Sequence, residues 1–263
     1  MPSPETEQLK VLVVDDDEMN RRMMHLILSR EDHYVELASD GFEACELALK
    51  NSYDIILMDL QMPKMSGIET SRRIRASENG ENYAYIVALT ASYLPEKGDE
   101  LFQAGIDNYI AKPFDIMHLR QMLKHGLDHR KSNIEYKIEP SNSEKEKNEW
   151  IFDPTVGIKQ VGGDEELFRV LLADFVKELP LRVASLEECL AERDTDGLSR
   201  TSHNLKGISS NLGALQLSQH AGMLENRASE GYTELVMNDV EAIKKISSEF
   251  VQDASNYLGN ETS

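Results

Sequence analysis

The chain has 263 residues, enough for two domains of ordinary size, and its 40% hydrophobic and 29% charged residues are typical of a folded globular protein. A formal net charge of −19 argues against an exposed nucleic-acid surface, because a phosphate backbone requires clustered Lys and Arg. No apolar run approaches the roughly 18 residues that a membrane-spanning helix needs.

The N-terminus lacks the basic and apolar segments of a signal peptide. We therefore expect a cytoplasmic protein that does not insert into a membrane. Cys45 and Cys189 have neither pairing nor metal-ligand spacing, and we interpret them as small buried residues in a reducing compartment.

The first half of the chain alternates short apolar runs with amphipathic stretches. Runs that are apolar on both faces are typical of buried parallel strands. They read KVLVVD, YVELA, DIILMD, YIVALT and NYIA. Between them, apolar residues recur at helical spacing, as in Met19, Met23, Leu26 and Ile27. The pattern predicts an α/β, flavodoxin-like domain at residues 9–127, a doubly wound five-stranded parallel sheet, after an N-terminal tail at 1–8.

Residues 128–149 break this pattern, since charges of both signs, Ser, Asn and a Pro dominate and little could be buried. We interpret this segment as a flexible linker.

The second half contains no convincing strands. Glycines and acidic residues precede the run LFRVLLADF, as at the start of an amphipathic helix, and Pro180 either breaks this helix or opens the next one. Further amphipathic segments cover about 181–193, 196–212, 214–229 and 234–257. Short links between them predict an all-α antiparallel bundle of the four-helix type at residues 150–258, before a C-terminal tail at 259–263.

Acidic residues lie where the predicted strands end, at the edge that forms the binding crevice of a doubly wound sheet. The side chains at this edge are Asp15, Asp16 and Asp17 after the first strand, Asp59 and Thr90 at the ends of the third and fourth, and Lys112 after the fifth. Each aspartate alone would be interpreted as a helix cap or loop residue, but that does not explain why all of them meet at one edge.

Carboxylates that share a small crevice repel one another, and a divalent cation removes the conflict. Oxygen ligands with room for water and phosphate favour Mg²⁺. The Lys112 ammonium and the Thr90 hydroxyl suit the oxygens of a transferring phosphoryl group, and a carboxylate can act as nucleophile to give an aspartyl phosphate.

The motifs VLVVDDDEMNR, DIILMDLQMPKMSGIE, IVALTA and NYIAKPF resemble those of the response regulator receiver domain, in its order and spacing, over residues 9–127. The resemblance implies that Asp59 is the phosphoacceptor. It implies that Asp15 and Asp16 are the acidic pair that holds Mg²⁺, with the backbone carbonyl of Gln61 as a further ligand.

The same resemblance implies that Thr90 and Lys112 contact the phosphoryl group and that Tyr109 occupies the aromatic position that changes rotamer on activation. Ala91, which is small, would leave the phosphoryl group accessible. Two positions depart from the pattern of hybrid-kinase receivers: Asp17 stands where Asn is frequent and Ser66 where Asp is frequent.

His203, Lys206 and Gly207 fall on one helical face in the second half of the chain. A glycine inside a helix costs about 1 kcal/mol relative to alanine, and a helix tolerates it where another body approaches closely. A neutral imidazole has a nitrogen lone pair that can attack a phosphoryl group, and an ammonium one turn away can stabilise its charge. A helical histidine alone is more often an ordinary core or surface residue.

The stretches GGDEELFRVLLADF, SHNLKGISSNLGA and AGMLENRA together resemble the histidine-containing phosphotransfer (HPt) domain over about residues 151–258. The resemblance implies that His203 carries phosphate, with Lys206 in a supporting role and Gly207 permitting docking. Glu225 lies on the following helix, where a polar side chain would orient the imidazole. Ser202 and Ile208 stand where small residues are common, which would modify the fit of a partner.

His125 and His129 have the i, i+4 spacing of a zinc pair, but no third ligand has evident spacing, so we interpret both as solvated.

Together the two halves predict a phosphorelay intermediate. A sensor histidine kinase or a small phosphodonor phosphorylates Asp59 with Mg²⁺, and the phosphoryl group passes to or from His203 and on to the receiver domain of a separate response regulator. The alternative is an interaction module in which phosphorylation of the receiver controls partner binding by the helical bundle.

The initial Met1 suggests a complete protein, although the chain could be the C-terminal part of a larger hybrid kinase. No Gly-rich nucleotide loop is visible, so an ATP-using kinase is disfavoured, and we expect only the self-phosphorylation and autodephosphorylation of a receiver. No DNA-binding output domain is recognisable.

Overall fold

Five parallel strands form a single sheet in the first part of the chain, in the order β2-β1-β3-β4-β5. The strands are β1 (Lys10–Val14), β2 (Tyr34–Ala38), β3 (Ile55–Asp59), β4 (Tyr85–Thr90) and β5 (Asn108–Ala111). The helices are α1 (Glu18–Arg30), α2 (Gly41–Lys50), α3 (Gly67–Ser77), α4 (Gly98–Gln103) and α5 (Ile116–Lys131). This is the flavodoxin-like order, so the predicted doubly wound α/β fold is confirmed.

The computed structural model describes residues 8–78, 83–90, 98–112, 116–131, 151–231 and 234–259, and the chain divides into two units, Met1–Ser141 and Asn142–Ser263. Most of the predicted tails and linker, together with Ala91, lies outside the described residues, as does the side chain of His129.

Alternating side chains of the central strands pack on opposite faces of the sheet. Leu12 and Ile56 belong to one buried cluster with Ala44 and Ile74, from α2 and α3. On the opposite face, Gly126 of α5 lies so close to the Ile55 side chain that a Cβ would overlap it. Both faces are therefore covered by helices, which explains why the strands are continuously apolar.

The strand order reverses between β1 and β3, because β2 lies beyond β1 and β4 lies beyond β3. The loops that follow β1 and β3 diverge at this point and leave a crevice at the carboxyl edge of the sheet. Asp15 and Asp16 follow β1, and Asp59 ends β3. The fold thus brings the predicted acidic residues to the same crevice.

In the second part of the chain, the described residues form helices joined by short links and no strand. Its helices are α6 (Pro154–Gln160), α7 (Glu165–Glu192), α8 (Thr195–Asn211), α9 (Leu215–Glu230) and α10 (Glu234–Gly259). α7 packs against α8 and α10, and α9 packs against the same two helices, so these four close a bundle as predicted. Phe168, Phe175 and Phe250 are fully buried within it.

Two details of the bundle differ from the expectations. α7 is one helix of 28 residues that runs through Pro180, which neither breaks it nor opens a new helix. Pro180 is exposed, so water can solvate the carbonyl that loses its hydrogen-bond donor because proline has no N–H. Leu179 and Val183 are buried and anchor the helix on both sides of the proline. The short helix α6 was not predicted, although Asp153 as N-cap and Pro154 behind it are its sequence signal.

α5 continues to Lys131, inside the segment interpreted as a linker. Cys45 and Cys189 are free thiols and are half-buried, so they are more exposed than the buried residues that the sequence suggested. Among the described residues, none of the helices is both long and apolar enough to cross a bilayer.

Asp194 is the N-cap of α8, the helix that carries His203, and its carboxylate accepts a hydrogen bond from the Gly197 N–H at 2.9 Å. We expect Asp194→Ala to lower the free energy of unfolding by about 1 kcal/mol, because one N–H at the helix start loses its partner. Urea unfolding followed by circular dichroism measures this loss. Asp196→Ala is the matched control in the first turn of the same helix, and an equal loss there would contradict a specific capping role.

Candidate functional site

The ammonium of Lys112 lies between two buried carboxylates in the crevice. Its Nζ donates to Asp15 Oδ2 at 2.9 Å and to Asp59 Oδ2 at 2.7 Å. The side chains of both aspartates are only 2% exposed, and that of Lys112 is 10% exposed. Residues from the ends of β1, β3 and β5 therefore meet at one point, as the sequence predicted from the strand ends.

The Asp15 carboxylate is held on both oxygens. Oδ1 accepts from the backbone N–H of Asp17 at 2.9 Å and from the Asn20 side-chain amide at 3.2 Å, while Oδ2 accepts from Lys112. The Asp17 carboxylate caps α1 by accepting from the N–H groups of Met19 and Asn20. Asp17 was grouped with the crevice carboxylates from sequence, but the structure assigns it to the start of the helix.

The backbone around Asp59 is fixed by close packing. The Gln61 N–H donates to Asp59 Oδ1 at 3.1 Å, and the Gly67 N–H donates to the Leu60 carbonyl at 3.1 Å. A Cβ on Gly67 would clash with the Asp59 carbonyl oxygen, so only glycine allows α3 to begin this close to the predicted phosphoacceptor. Sequence reasoning missed both Gly67 and Asn20. Gly67 carried a signal, because it is the one glycine from the end of β3 to the end of α3.

Three carboxylates of this crevice can converge on a cation. Asp15, Asp16 and Asp59 each offer a ligand oxygen, and these oxygens lie within 4.8 Å of one another. Among the described residues this is the one group of acidic, His or Cys side chains arranged so. Hard carboxylate ligands fit Mg²⁺. The contact described for Gln61 is its N–H, and ligation by its carbonyl remains a prediction.

The crevice carries more negative than positive charge. The pKa of Asp15 is raised to about 6, chiefly by burial and also by the neighbouring charge of Asp59, although the charge of Lys112 acts to lower it. Burial alone would lower the pKa of Lys112, but the two carboxylates raise it above its ordinary value. Lys112 is therefore protonated, and a divalent cation would neutralise the remaining charge.

Thr90 and Tyr109 lie on the neighbouring strands. Thr90 is buried at the end of β4, and its carbonyl accepts from the Lys112 N–H at 2.5 Å, so both residues border the same crevice. Tyr109 is half-buried and packs against the core cluster that contains Leu12 and Ile56. The contact of Thr90 with a phosphoryl group and the rotamer change of Tyr109 remain predictions.

His203 lies on α8 and meets Glu225 of α9. The distance from His203 Nδ1 to Glu225 Oε1 is 2.7 Å, and Lys206 Nζ donates to Glu225 Oε2 at 3.0 Å. The His203 side chain is 8% exposed and that of Glu225 16%. One carboxylate thus contacts the two residues that the sequence placed on one helical face.

The charge state of Glu225 decides which nitrogen of His203 carries hydrogen. Burial alone would raise the pKa of Glu225, but hydrogen bonds and charge from His203 and Lys206 lower it below its ordinary value. An ionised carboxylate can only accept, so Nδ1 of His203 donates to it. In the neutral ring Nε2 then carries the lone pair and is the nucleophilic nitrogen.

The surroundings of His203 match the expectations in part. A Cβ on Gly207 would meet no atom within 4 Å, so this position faces open space, as a docking gap requires. Ser202 and Ile208 are buried, at 0% and 1% exposure, and the Ser202 hydroxyl donates to the Leu198 carbonyl. Both side chains therefore pack inside the bundle, and their expected effect on the fit of a partner remains a prediction.

Two family models match this chain. Residues 11–124 match the response regulator receiver domain, and residues 170–254 match the Hpt domain. The first part of the chain is therefore a response regulator receiver domain. The second part is an Hpt domain, and the chain is thus a two-component signalling protein, which confirms both resemblances.

Similar proteins contain the same pair of regions within longer chains. The aerobic respiration control sensor protein ArcB of Escherichia coli is 29% identical over 248 residues, which cover 93% of this chain and 31% of ArcB. The signal transduction histidine-protein kinase BarA of Escherichia coli is 27% identical over 245 residues, 88% of this chain and 26% of BarA. The chain spans about a third or less of these relatives.

The receiver domain of the sensor histidine kinase PA1611 from Pseudomonas aeruginosa has been solved with a magnesium ion coordinated in its active site cleft. It is 34% identical, covers 46% of this chain and 99% of its own, and has a TM-score of 0.43.

The raised pKa of Asp15 predicts a pH-dependent stability. Because the folded state binds this proton more tightly than the unfolded chain, the contribution of Asp15 to stability falls as the pH rises from about 4 to about 6. Asparagine does not titrate, so the stability of Asp15→Asn lacks this fall. In EDTA, we therefore expect the free energy of unfolding of Asp15→Asn minus that of wild type to increase across this window, as measured by urea unfolding. The control is Asp40→Asn, because Asp40 is the N-cap of α2, outside the crevice, and asparagine can also cap a helix. Parallel pH profiles for wild type and Asp15→Asn would contradict the assignment.

The contact with Glu225 predicts the tautomer of His203. In ¹⁵N NMR spectra of the ring, we expect Nδ1–H in wild type and a shift towards Nε2–H in Glu225→Ala, because the acceptor is lost. Glu225→Gln retains an acceptor oxygen and should keep Nδ1–H. An unchanged tautomer in Glu225→Ala would show that Glu225 does not set it.

Proposed function

We propose that this chain is a phosphorelay intermediate in which Asp59 and His203 are the two phosphoryl acceptors. The observation that carries the proposal is that each acceptor lies beside its own charge-stabilising lysine. Lys112 contacts Asp59 directly, and Lys206 shares the carboxylate that orients His203. Each half of the chain thus has a nucleophile and a cation for phosphoryl oxygens.

At the first acceptor, a carboxylate oxygen of Asp59 attacks the phosphorus of a phosphohistidine or of a small phosphodonor. The bond from phosphorus to the donor breaks, and an aspartyl phosphate forms. Lys112 would neutralise the phosphoryl oxygens, and the Thr90 hydroxyl would donate a hydrogen bond to one of them. The Gln61 N–H keeps the Asp59 carboxylate in place through Oδ1.

Asp15, Asp16 and Asp59 would hold Mg²⁺, with the Gln61 carbonyl as a further ligand. The bound cation supplies neutralising positive charge for the phosphoryl oxygens. The residues of the chain orient the carboxylates that would bind the cation. Lys112 contacts both Asp15 and Asp59, and the cap of α1 fixes the loop that contains Asp15 and Asp16.

At the second acceptor, Nε2 of His203 attacks the phosphorus of an aspartyl phosphate. The phosphorus–oxygen bond breaks, the aspartate regains its carboxylate, and a phosphorus–nitrogen bond forms. The Glu225 carboxylate accepts a hydrogen bond from Nδ1–H, and its negative charge balances the positive charge that develops on the ring. The reverse step returns the phosphoryl group to an aspartate.

The proposed partners are a sensor histidine kinase upstream and the receiver domain of a separate response regulator. The similarity to regions of ArcB and BarA supports this placement. We propose the cytoplasm as the location, and the free thiols of Cys45 and Cys189 suit its reducing conditions.

Phosphotransfer assays with radiolabelled phosphate test the proposal. With labelled acetyl phosphate and Mg²⁺, we expect Asp59→Asn to lose the label of the receiver domain, because the nucleophile is gone. With labelled receiver domains of the same organism as donors, we expect His203→Gln to lose the label of the Hpt domain.

His220→Gln, a half-buried histidine of α9, is the matched control and should label as wild type does. If His203→Gln is labelled by every donor as strongly as wild type, His203 is not the acceptor.

A further inference from the structure

Asn20 is a buried polar residue of α1 that the sequence alone did not single out. Its side chain is held between the helix cap and the crevice, and the residue is 7% exposed. The backbone N–H donates to Asp17 Oδ1 at 3.1 Å, and the side-chain Nδ2 donates to Asp15 Oδ1 at 3.2 Å. Asn20 therefore connects the start of the helix to a predicted cation ligand.

The Asp15 carboxylate has three donors in the described contacts. Lys112 binds Oδ2, whereas the Asp17 N–H and the Asn20 amide both bind Oδ1. Rotation about the last torsion of an aspartate is broad and weakly restricted, so hydrogen bonds decide the orientation of the carboxylate. Without Asn20, Oδ1 would keep the Asp17 N–H as its donor, and the attraction of Lys112 would be less strongly opposed.

The donor at this position is neutral. An amide orients a carboxylate without adding charge, so Asp15 stays available to a cation, whereas a second ammonium would compete with the cation for its charge. Arg21, the adjacent cationic residue, donates instead to the backbone carbonyl of Asp15 at 2.6 Å. Of the two side chains from α1, the charged Arg21 thus holds the backbone of Asp15 and the neutral Asn20 holds its carboxylate.

We propose that Asn20 is a positioning residue that holds the Asp15 carboxylate in the orientation in which it binds Mg²⁺. This inference rests on the proposed function, because it requires that the crevice is a magnesium site. Asn20 acts through Asp15 and does not itself contact the reacting phosphoryl group.

The test is a Mg²⁺ titration of the full chain, followed by amide chemical shifts. Asn20→Leu preserves much of the volume but removes the donor, and we expect its dissociation constant for Mg²⁺ to rise about tenfold, the usual effect of removing a hydrogen-bond partner of a metal ligand. The amide signal of Asp17 should also shift before Mg²⁺ is added, because its acceptor, the Asp15 carboxylate, turns. Asn20→Ser is a second variant should the leucine disturb the packing of α1.

Asn108→Ala is the matched control. Asn108 is equally buried, at 6% exposure, and its amide donates to the Tyr85 hydroxyl at the opposite edge of the sheet. We expect this variant to bind Mg²⁺ as wild type does. In the Asp15→Asn background, Asn20→Leu should have no further effect on Mg²⁺ binding, because the residue through which it acts has been changed.

The possible outcomes separate the inference from the proposed function. A folded Asn20→Leu or Asn20→Ser protein with the wild-type dissociation constant overturns the role of Asn20 and leaves the magnesium site intact. Absence of Mg²⁺ binding by the wild-type chain overturns the magnesium site itself.

Discussion

The buried contact of one ammonium with two carboxylates is the constraint on which the receiver crevice depends. Lys112 follows β5, at the edge of the sheet, yet it reaches past β4 to Asp59 and Asp15, at the ends of β3 and β1. Because an unpaired charge at such burial is very costly, the three strand ends must keep the same height and spacing. The geometry of the proposed phosphorylation site therefore depends on the integrity of this sheet edge.

The sequence predicted this arrangement for a physical reason. Continuous apolar runs identify parallel strands, and parallel strands bring their carboxyl ends to one edge, so residues as distant as Asp15 and Lys112 could be placed together from the sequence alone. The sequence determined the site in the helical bundle less fully. His203 was assigned a role because the sequence around it resembles a known motif. Its contact with Glu225 depends on how α9 is rotated against α8, and the residue spacing within one helix does not specify that rotation.

Other features depended on neighbours that are remote in sequence. Pro180 was ambiguous because its effect depends on whether its ring faces solvent or core. Ser202 and Ile208 were singled out because small residues are common at their positions in the family that the motif resembles, and their burial depends on how the helices of the bundle pack. Gly67 and Asn20 were overlooked because their roles consist of close approaches to Asp59 and Asp15 that exist only in the folded chain.

The cap of α1 has a consequence for how this crevice can be moved or rebuilt. The Asp17 carboxylate accepts hydrogen bonds from the N–H groups of Met19 and Asn20, in the first turn of α1. The Asp17 N–H donates to the Asp15 carboxylate, and Arg21 donates to the Asp15 carbonyl. Because the ends of a helix open first, fraying of this turn would also release Asp15 and Asp16 from their positions. The smallest segment that could be transferred to another protein with its acidic pair in place is thus β1 together with the first turn of α1. The loop transferred without that turn would contain the aspartates but would not hold them in this arrangement.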